Sequence, residues 1–268
     1  MAQRVIRRAF LNVQGLQIHY AESGAGQPVL FLHQTPRSWD EFRDVLPLAG
    51  RQFRAIAMDT PGFGDSSKPS WPGSMAAYAG VAARFLEALG IERAHVVGHH
   101  TGGVIAVELA AAYPHRVDRL VLSSTPLIDA AFHRLRAERP APDDVAPDGS
   151  GEHLLQLWRG RQSFYPRDRP DLLTRFLVDA LKAGEGAQAG HLAVSSYDME
   201  PRLPLVQAPT LVIGATEDPF CYPMMWPLAR RIAGARVVEI AGGMVPLPDQ
   251  LPREFAQVVL DFLGSPNS

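Results

Sequence analysis

Nine histidines and one cysteine are among the side chains of this 268-residue sequence best suited to act as base, nucleophile or metal ligand. Two of the histidines sit in a setting that singles them out. The segment from Ala94 to Ala106 reads AHVVGHHTGGVIA. An apolar run ends at Gly98, and a helical pattern begins near Gly102. Glycines two residues either side of His100 are what a chain needs where a strand turns directly into a helix. The spacing therefore predicts a tight elbow with His100 at its apex, its ring raised above the sheet edge at a helix N-terminus. An imidazole so placed can act as a general base, or as a nucleophile that forms an acyl-imidazole. A metal centre built from His33, His99 and His100 is not expected, because adjacent side chains on a turn diverge and no ligand spacing of a known type occurs. The single cysteine, Cys221, excludes an intrachain disulfide framework and reads as a small buried hydrophobe.

The elements that must position this elbow follow from hydrophobic period. Residues 9–13 and 16–21 alternate and flank an Asn-Val-Gln-Gly turn, which predicts a hairpin. Apolar runs at 29–33, 53–58, 94–98, 119–123, 210–214 and 236–240 read as strands buried on both faces. Helical spacing covers 74–89, 104–113, 224–232 and 251–263. Strands alternating with helices predict a mostly parallel sheet covered on both sides. Residues 128–205 break the rhythm, with a Pro/Asp/Gly-rich loop at 140–151 and helices at 152–158 and 172–183.

With these elements in place, the sequence resembles the α/β-hydrolase superfamily over almost its whole length. The family's G-x-S-x-G elbow corresponds to Gly98-His99-His100-Thr101-Gly102. His33-Gln34-Thr35-Pro36 resembles the H-G-x-P turn after the third strand. Residues Asp59 to Ser66 (DTPGFGDS) resemble the D-x-P-G-x-G-x-S loop after the fourth. Pro114-His115-Arg116-Val117 resembles the P-x-R-V turn before the sixth. Ala208-Pro209-Thr210 through Asp218-Pro219 resembles the strand and loop that carry the acid. Gly243-Met244-Val245-Pro246, with residues 252–255, resembles the last loop and helix. The resemblance implies an α/β fold, with a mostly parallel eight-stranded sheet and helices on both faces. The core would be residues 1–127 and 206–268, and residues 128–205 would be a helical cap, matched by position only.

The resemblance also shows where the chemistry departs from the family. His100 stands where the family has its serine, and Met244 where it has its base histidine. Methionine takes no proton, so a Ser-His-Asp acyl-enzyme route is not expected. Asp218 keeps the acid position. A His100–Asp218 dyad follows, with Asp218 holding one ring nitrogen while the other faces the pocket. The backbone N–H groups of Thr35 and Thr101 are the implied oxyanion donors. Around the pocket the resemblance places Gln34, Arg37, Trp39, His99, Trp158, Phe220 and Met244, the last as an apolar wall. Arg37 would meet a substrate carboxylate or form a surface ion pair. His33 would support loop backbone, and the other cap histidines, His133, His153 and His191, would be solvated.

A net charge of −2 offers no basic face for nucleic acid. No stretch reaches the ~18 apolar residues of a membrane span, and the basic start MAQRVIRRAF lacks an apolar run behind it. A cytoplasmic location is expected, with no cofactor, no metal, a small-molecule substrate as partner, and a homodimer left open. Three functions fit. One is cofactor-independent hydrolysis of a small apolar or aromatic carbonyl substrate (ester, lactone or C–C bond). Another is a lyase, cyclase or decarboxylase using His100 for proton transfer. The third is a catalytically silent ligand-binding protein.

Overall fold

In the computed structural model, which describes residues 5–138 and 145–265, the opening alternation forms a hairpin. Strands β1 (Arg7–Val13) and β2 (Leu16–Gly24) pair antiparallel around Gln14 and Gly15, both at positive φ, as a two-residue primed turn requires. The apolar runs become β3 (Pro28–Leu32), β4 (Arg54–Met58), β5 (Ala94–His99), β6 (Val117–Ser123), β7 (Thr210–Ala215) and β8 (Arg236–Ile240). They assemble in the order β1-β2-β4-β3-β5-β6-β7-β8, antiparallel from β1 to β4 and parallel across the rest.

Because side chains alternate along a strand, each central strand feeds two cores. Leu30, Leu32, Ile56, Met58 and Val96 pack on one face with α2 (Met75–Ala88) and α3 (Thr101–Ala112). Val29, Phe31, Ala55, Ala57 and Val97 pack on the other, with α1 (Leu46–Ala49) and α10 (Pro252–Gly264). The remaining helices are α4 (Ala130–Glu138), α5 (Glu152–Gln162), α6 (Pro170–Ala183), α7 (Glu185–Ser195), α8 (Met225–Ala229) and α9 (Leu247–Gln250). None among the described residues is long and apolar enough to cross a membrane.

Among the described residues between β6 and β7 lie four helices where the sequence pattern predicted two. Helix α7 escaped the pattern because it packs by small residues rather than by an apolar stripe. A Cβ on Gly186 would lie 2.9 Å from the Gly62 carbonyl oxygen, and one on Gly190 would lie 2.7 Å from Thr35 Oγ1. The helix expected over 224–232 shortens to α8 after a 3₁₀ turn at Tyr222–Met224. The loop expected at 140–151 falls partly outside the described residues.

Two loop motifs act as scaffolding. His33 Nδ1 lies 2.9 Å from the Gln34 carbonyl oxygen, and its Nε2 accepts from the Thr60 N–H at 3.0 Å, tying the loops after β3 and β4 together. The Asp59 carboxylate accepts from the N–H groups of Trp39 and Asp65 and meets His19 Nδ1 at 2.8 Å. Gly64 is needed there, since a Cβ would lie 2.2 Å from Asp59 Oδ2.

Candidate active site

The passage from β5 into α3 is as tight as its glycines imply. His100 adopts φ 46°, ψ −114°. A Cβ on Gly98 would lie 2.3 Å from the Gly102 carbonyl oxygen, and one on Gly102 1.9 Å from that of Leu32. The backbone of His100 is fixed on both sides. Its N–H donates to the Ser123 carbonyl at 3.0 Å, and its carbonyl accepts from Gly103 and Val104 at 2.9 and 3.2 Å.

The ring of His100 lies between two partners from the loop after β7. Its Nε2 is 2.9 Å from Asp218 Oδ2, a close contact set off the hydrogen-bond axis, and its Nδ1 is 3.4 Å from Cys221 Sγ. Asp218 Oδ1 accepts from the N–H groups of Phe220 and Cys221 at 3.0 and 2.9 Å, which aims the carboxylate. Burial pushes the Asp218 carboxyl up. The His100 imidazole and the two backbone donors outweigh that and hold it below its ordinary value. Burial, and then the Asp218 charge, push the Cys221 thiol well above its ordinary value. The thiol therefore stays protonated. The second ring nitrogen, expected to face the pocket, has this buried S–H beside it.

His100 lies on the wall of a cavity of about 320 Å³. From the sheet side the lining includes Gln34, Thr35, Thr101, Phe220 and Val245. From α4, α5, the turn after α5 and α7 come Phe132, Arg136, Arg161, Phe164 and His191. Thr101 opens α3, so its N–H has no acceptor within the helix. Gln34 is clamped by the buried Glu41, whose two oxygens accept from the Gln34 N–H at 2.9 Å and from its amide at 2.5 Å. Burial raises the Glu41 carboxyl, with Arg37 and Gln34 opposing.

Five residues expected at the pocket lie elsewhere. Arg37 is fully buried outside the cavity. It pairs with Asp179 on α6 at 2.8 Å and with Asp249 on α9, and Glu41 lies 3.9 Å away, so its charge is spent within the protein. Trp39 stacks against the guanidinium groups of Arg8 and Arg43 at 5.2 and 5.9 Å. Trp158 borders a separate groove with Tyr165 and Leu173. His99 lies behind the elbow, with Nδ1 3.0 Å from Ser123 Oγ and Nε2 2.8 Å from the Val245 carbonyl oxygen. Burial, and then the neighbouring His100, pull it well below its ordinary value, so it is a neutral strut. Met244 is half-buried with its N–H on Gln250 Oε1 at 2.7 Å. The wall expected of it is supplied by Val245, whose backbone His99 holds.

Sequence reasoning missed Arg136 and Arg161 and took His191 as solvated. The available signal was spacing: Arg136 follows Phe132 by four residues, which puts both on one helix face. Two groups of His, Cys, Asp or Glu among the described residues bring donor atoms within 4.8 Å of one another. In the group of His100, Asp218 and Cys221 the thiol stays protonated, and in the His19–Asp59–Asp65 group Asp65 faces Arg8 and Lys182.

Residues 27–244 match the family model described as alpha/beta hydrolase fold. A 2-hydroxy-6-oxo-6-phenylhexa-2,4-dienoate hydrolase of Comamonas testosteroni is 30% identical over 230 residues, covering 76% of this chain and 75% of that protein. The dihydrolipoyllysine-residue acetyltransferase component of an acetoin cleaving system from Cupriavidus necator is 39% identical over 116 residues, 43% of this chain. That match spans only 31% of the relative's length. Among solved structures, a hydrolase from Pseudomonas aeruginosa superposes with a TM-score of 0.79 at 27% identity, over 97% of this chain and 99% of that one. The enol-lactonase from Burkholderia xenovorans gives the same TM-score at 23% identity, over 96% of this chain and 100% of that one.

Proposed function

The chain belongs to the α/β-hydrolase family, and within it we propose that the protein hydrolyses a small apolar or aromatic carbonyl substrate without a cofactor, using His100 as general base and Asp218 as its charge partner. The observation that carries this reading is the 2.9 Å contact between His100 Nε2 and Asp218 Oδ2 at the wall of an apolar cavity. The Asp218 carboxyl, held below its ordinary value, stays charged beside the ring.

With Nε2 turned to Asp218, the lone pair of Nδ1 is the basic site. A thiol is a weak donor, so the S–H of Cys221 competes poorly with water for that lone pair. Water in the cavity gives its proton to Nδ1 as its oxygen attacks the carbonyl carbon. The negative charge gathers on the carbonyl oxygen, and the N–H groups of Thr35 and Thr101 are the donors for it; one such donor is worth about 3 kcal/mol of barrier. On collapse, the proton on Nδ1 passes to the leaving group, and Asp218 stabilises the imidazolium in between. The segment at 128–205 serves as the cap that closes the cavity over His100. The relative from Comamonas supports a C–C bond next to a carbonyl as one candidate, beside esters and lactones.

The test is a panel of aryl esters, lactones and vinylogous ketones with the wild type, His100→Ala and His100→Ser. His100→Ala is expected to lower kcat/KM by about 10²–10⁴-fold. His100→Ser is expected to stay equally low, because position 244 offers no base. Undiminished turnover by His100→Ala overturns the reading, and strong esterase activity in His100→Ser alone overturns the account of Met244.

A further inference from the structure

Gln34, in the loop that leaves β3, lines the cavity and is almost fully buried. It stands level with His100. Leu32 and Gly98 are partners in the parallel pairing of β3 with β5, and residues 34 and 100 each lie two positions further along. Gln34 therefore reaches the cavity at the same sheet edge as the elbow.

Which end of its amide meets the cavity is decided by Glu41, a side chain with no exposed surface. One Glu41 oxygen accepts from the Gln34 backbone N–H at 2.9 Å, and the other from the Gln34 side-chain NH2 at 2.5 Å. A carboxylate only accepts, so the amide must give it the nitrogen and turn its own oxygen, Oε1, away. Among the described residues no group donates to Oε1, and this oxygen is not closed off from open space. Other polar groups of the lining impose no such polarity. The hydroxyls of Thr35 and Thr101 rotate to donate or to accept. Arg136, Arg161 and His191 keep partners within the protein. A carbonyl held in an apolar wall gains from a ligand that brings a donor and is left unpaired by one that brings none.

We propose that Gln34 is a specificity-determining residue of this cavity: its carbonyl oxygen, fixed by Glu41, selects a substrate that carries an O–H or N–H donor on its apolar body. This rests on the hydrolase reading for the use of the cavity, while the binding itself needs no turnover. Glu41 acts through Gln34 and is a positioning residue. Its role separates from plain packing because its neutral isostere reverses the amide. In Glu41→Gln the new carbonyl keeps the Gln34 backbone N–H, and the new NH2 faces the Gln34 amide. Two NH2 groups do not bond each other, so Gln34 turns its oxygen to residue 41 and its NH2 to the cavity.

The experiment is calorimetric titration of indole and of benzofuran into the full-length wild type, Gln34→Met, Glu41→Gln and His100→Ala. The two ligands share one outline and differ in a ring N–H against a ring oxygen. Indole is expected to bind the wild type about fivefold more tightly than benzofuran. Gln34→Met keeps the length of the side chain without its oxygen; it is expected to hold benzofuran within about twofold and to lose the preference. Glu41→Gln leaves every lining residue unchanged and is expected to lose the preference too, with an NH2 now facing the indole N–H. That keeps the test decisive should Gln34→Met not fold. His100→Ala is expected to keep the preference. Equal binding of the two ligands by the wild type, or no binding of indole, overturns the proposal. So does a preference kept by the folded Gln34→Met or Glu41→Gln, including an equal weakening of both ligands, which is all that loosened packing gives. Loss of the preference in His100→Ala would place the donor at the imidazole and overturns it as well. The hydrolase reading falls by a different result, undiminished turnover in His100→Ala, so the two fail separately.

Discussion

Cys221 sits where its chemistry is suppressed. Its thiol is buried beside His100, and its acidity is lowered by desolvation and by the Asp218 charge. Thiolate is the reactive form, so the native protein at pH 8 is expected to react with a thiol-disulfide reagent at a small fraction of the rate seen in denaturant. As the only cysteine, it makes the colour change a direct readout. Prompt stoichiometric reaction of the folded protein would show that the thiol is exposed and ionised, against the proton inventory drawn for Nδ1. At this scale the sequence was legible where a motif fixes a backbone path: the elbow glycines placed His100, and the β7 loop placed Asp218. It was not legible for Arg37, whose partners lie 142 and 212 residues away, since nothing near residue 37 announces them. Likewise, no local signal shows that Val245 rather than Met244 borders the cavity, because that depends on a hydrogen bond from His99.

Helix α6 is fastened to the loop after β3 and to α9 by a buried charge cluster. Arg37 and Arg175 face Asp40, Glu41, Asp179 and Asp249 there, with Arg43 also on Asp40. Carboxylates outnumber the cations, and burial raises the Asp249 carboxyl to about 7, against the pull of Arg37 and Arg175. The folded chain then holds a proton that the unfolded chain releases near pH 4. Between those values the native state binds more protons, so this contribution is complete in acid and is lost as pH rises through about 7. The urea midpoint is expected to decline between pH 5 and pH 8, and Asp249→Asn is expected to flatten that slope. An unchanged slope in the variant would locate the titration elsewhere. The elements themselves were read unevenly. Strands were plain because apolar β-branched runs have few other uses in a sheet protein. Helix α10, with its apolar stripe, was equally plain, whereas the four-residue α1 and α9 are too short for any period, and α7 hides behind glycine and alanine.

Across the whole molecule, two apolar layers enclose the sheet, and one tight crossing at β5–α3 sets the height of His100 above it. The layers follow from strand alternation and were legible; the position of the inserted helices over the sheet was not, because polar and long-range contacts hold them. At residue 100 the backbone itself favours a residue without a Cβ, since φ 46°, ψ −114° is a conformation that costs other residues about 1–3 kcal/mol. Comparing two variants that both lack the imidazole isolates that cost. His100→Gly is expected to be more stable than His100→Ala by about 1 kcal/mol in chemical denaturation, the reverse of the order usual for this pair. A more stable alanine variant would mean that the elbow relaxes. The elbow is thus a place where reach and rest compete: the bend that lifts the imidazole into the cavity is one in which the fold would sit more easily with no side chain at all.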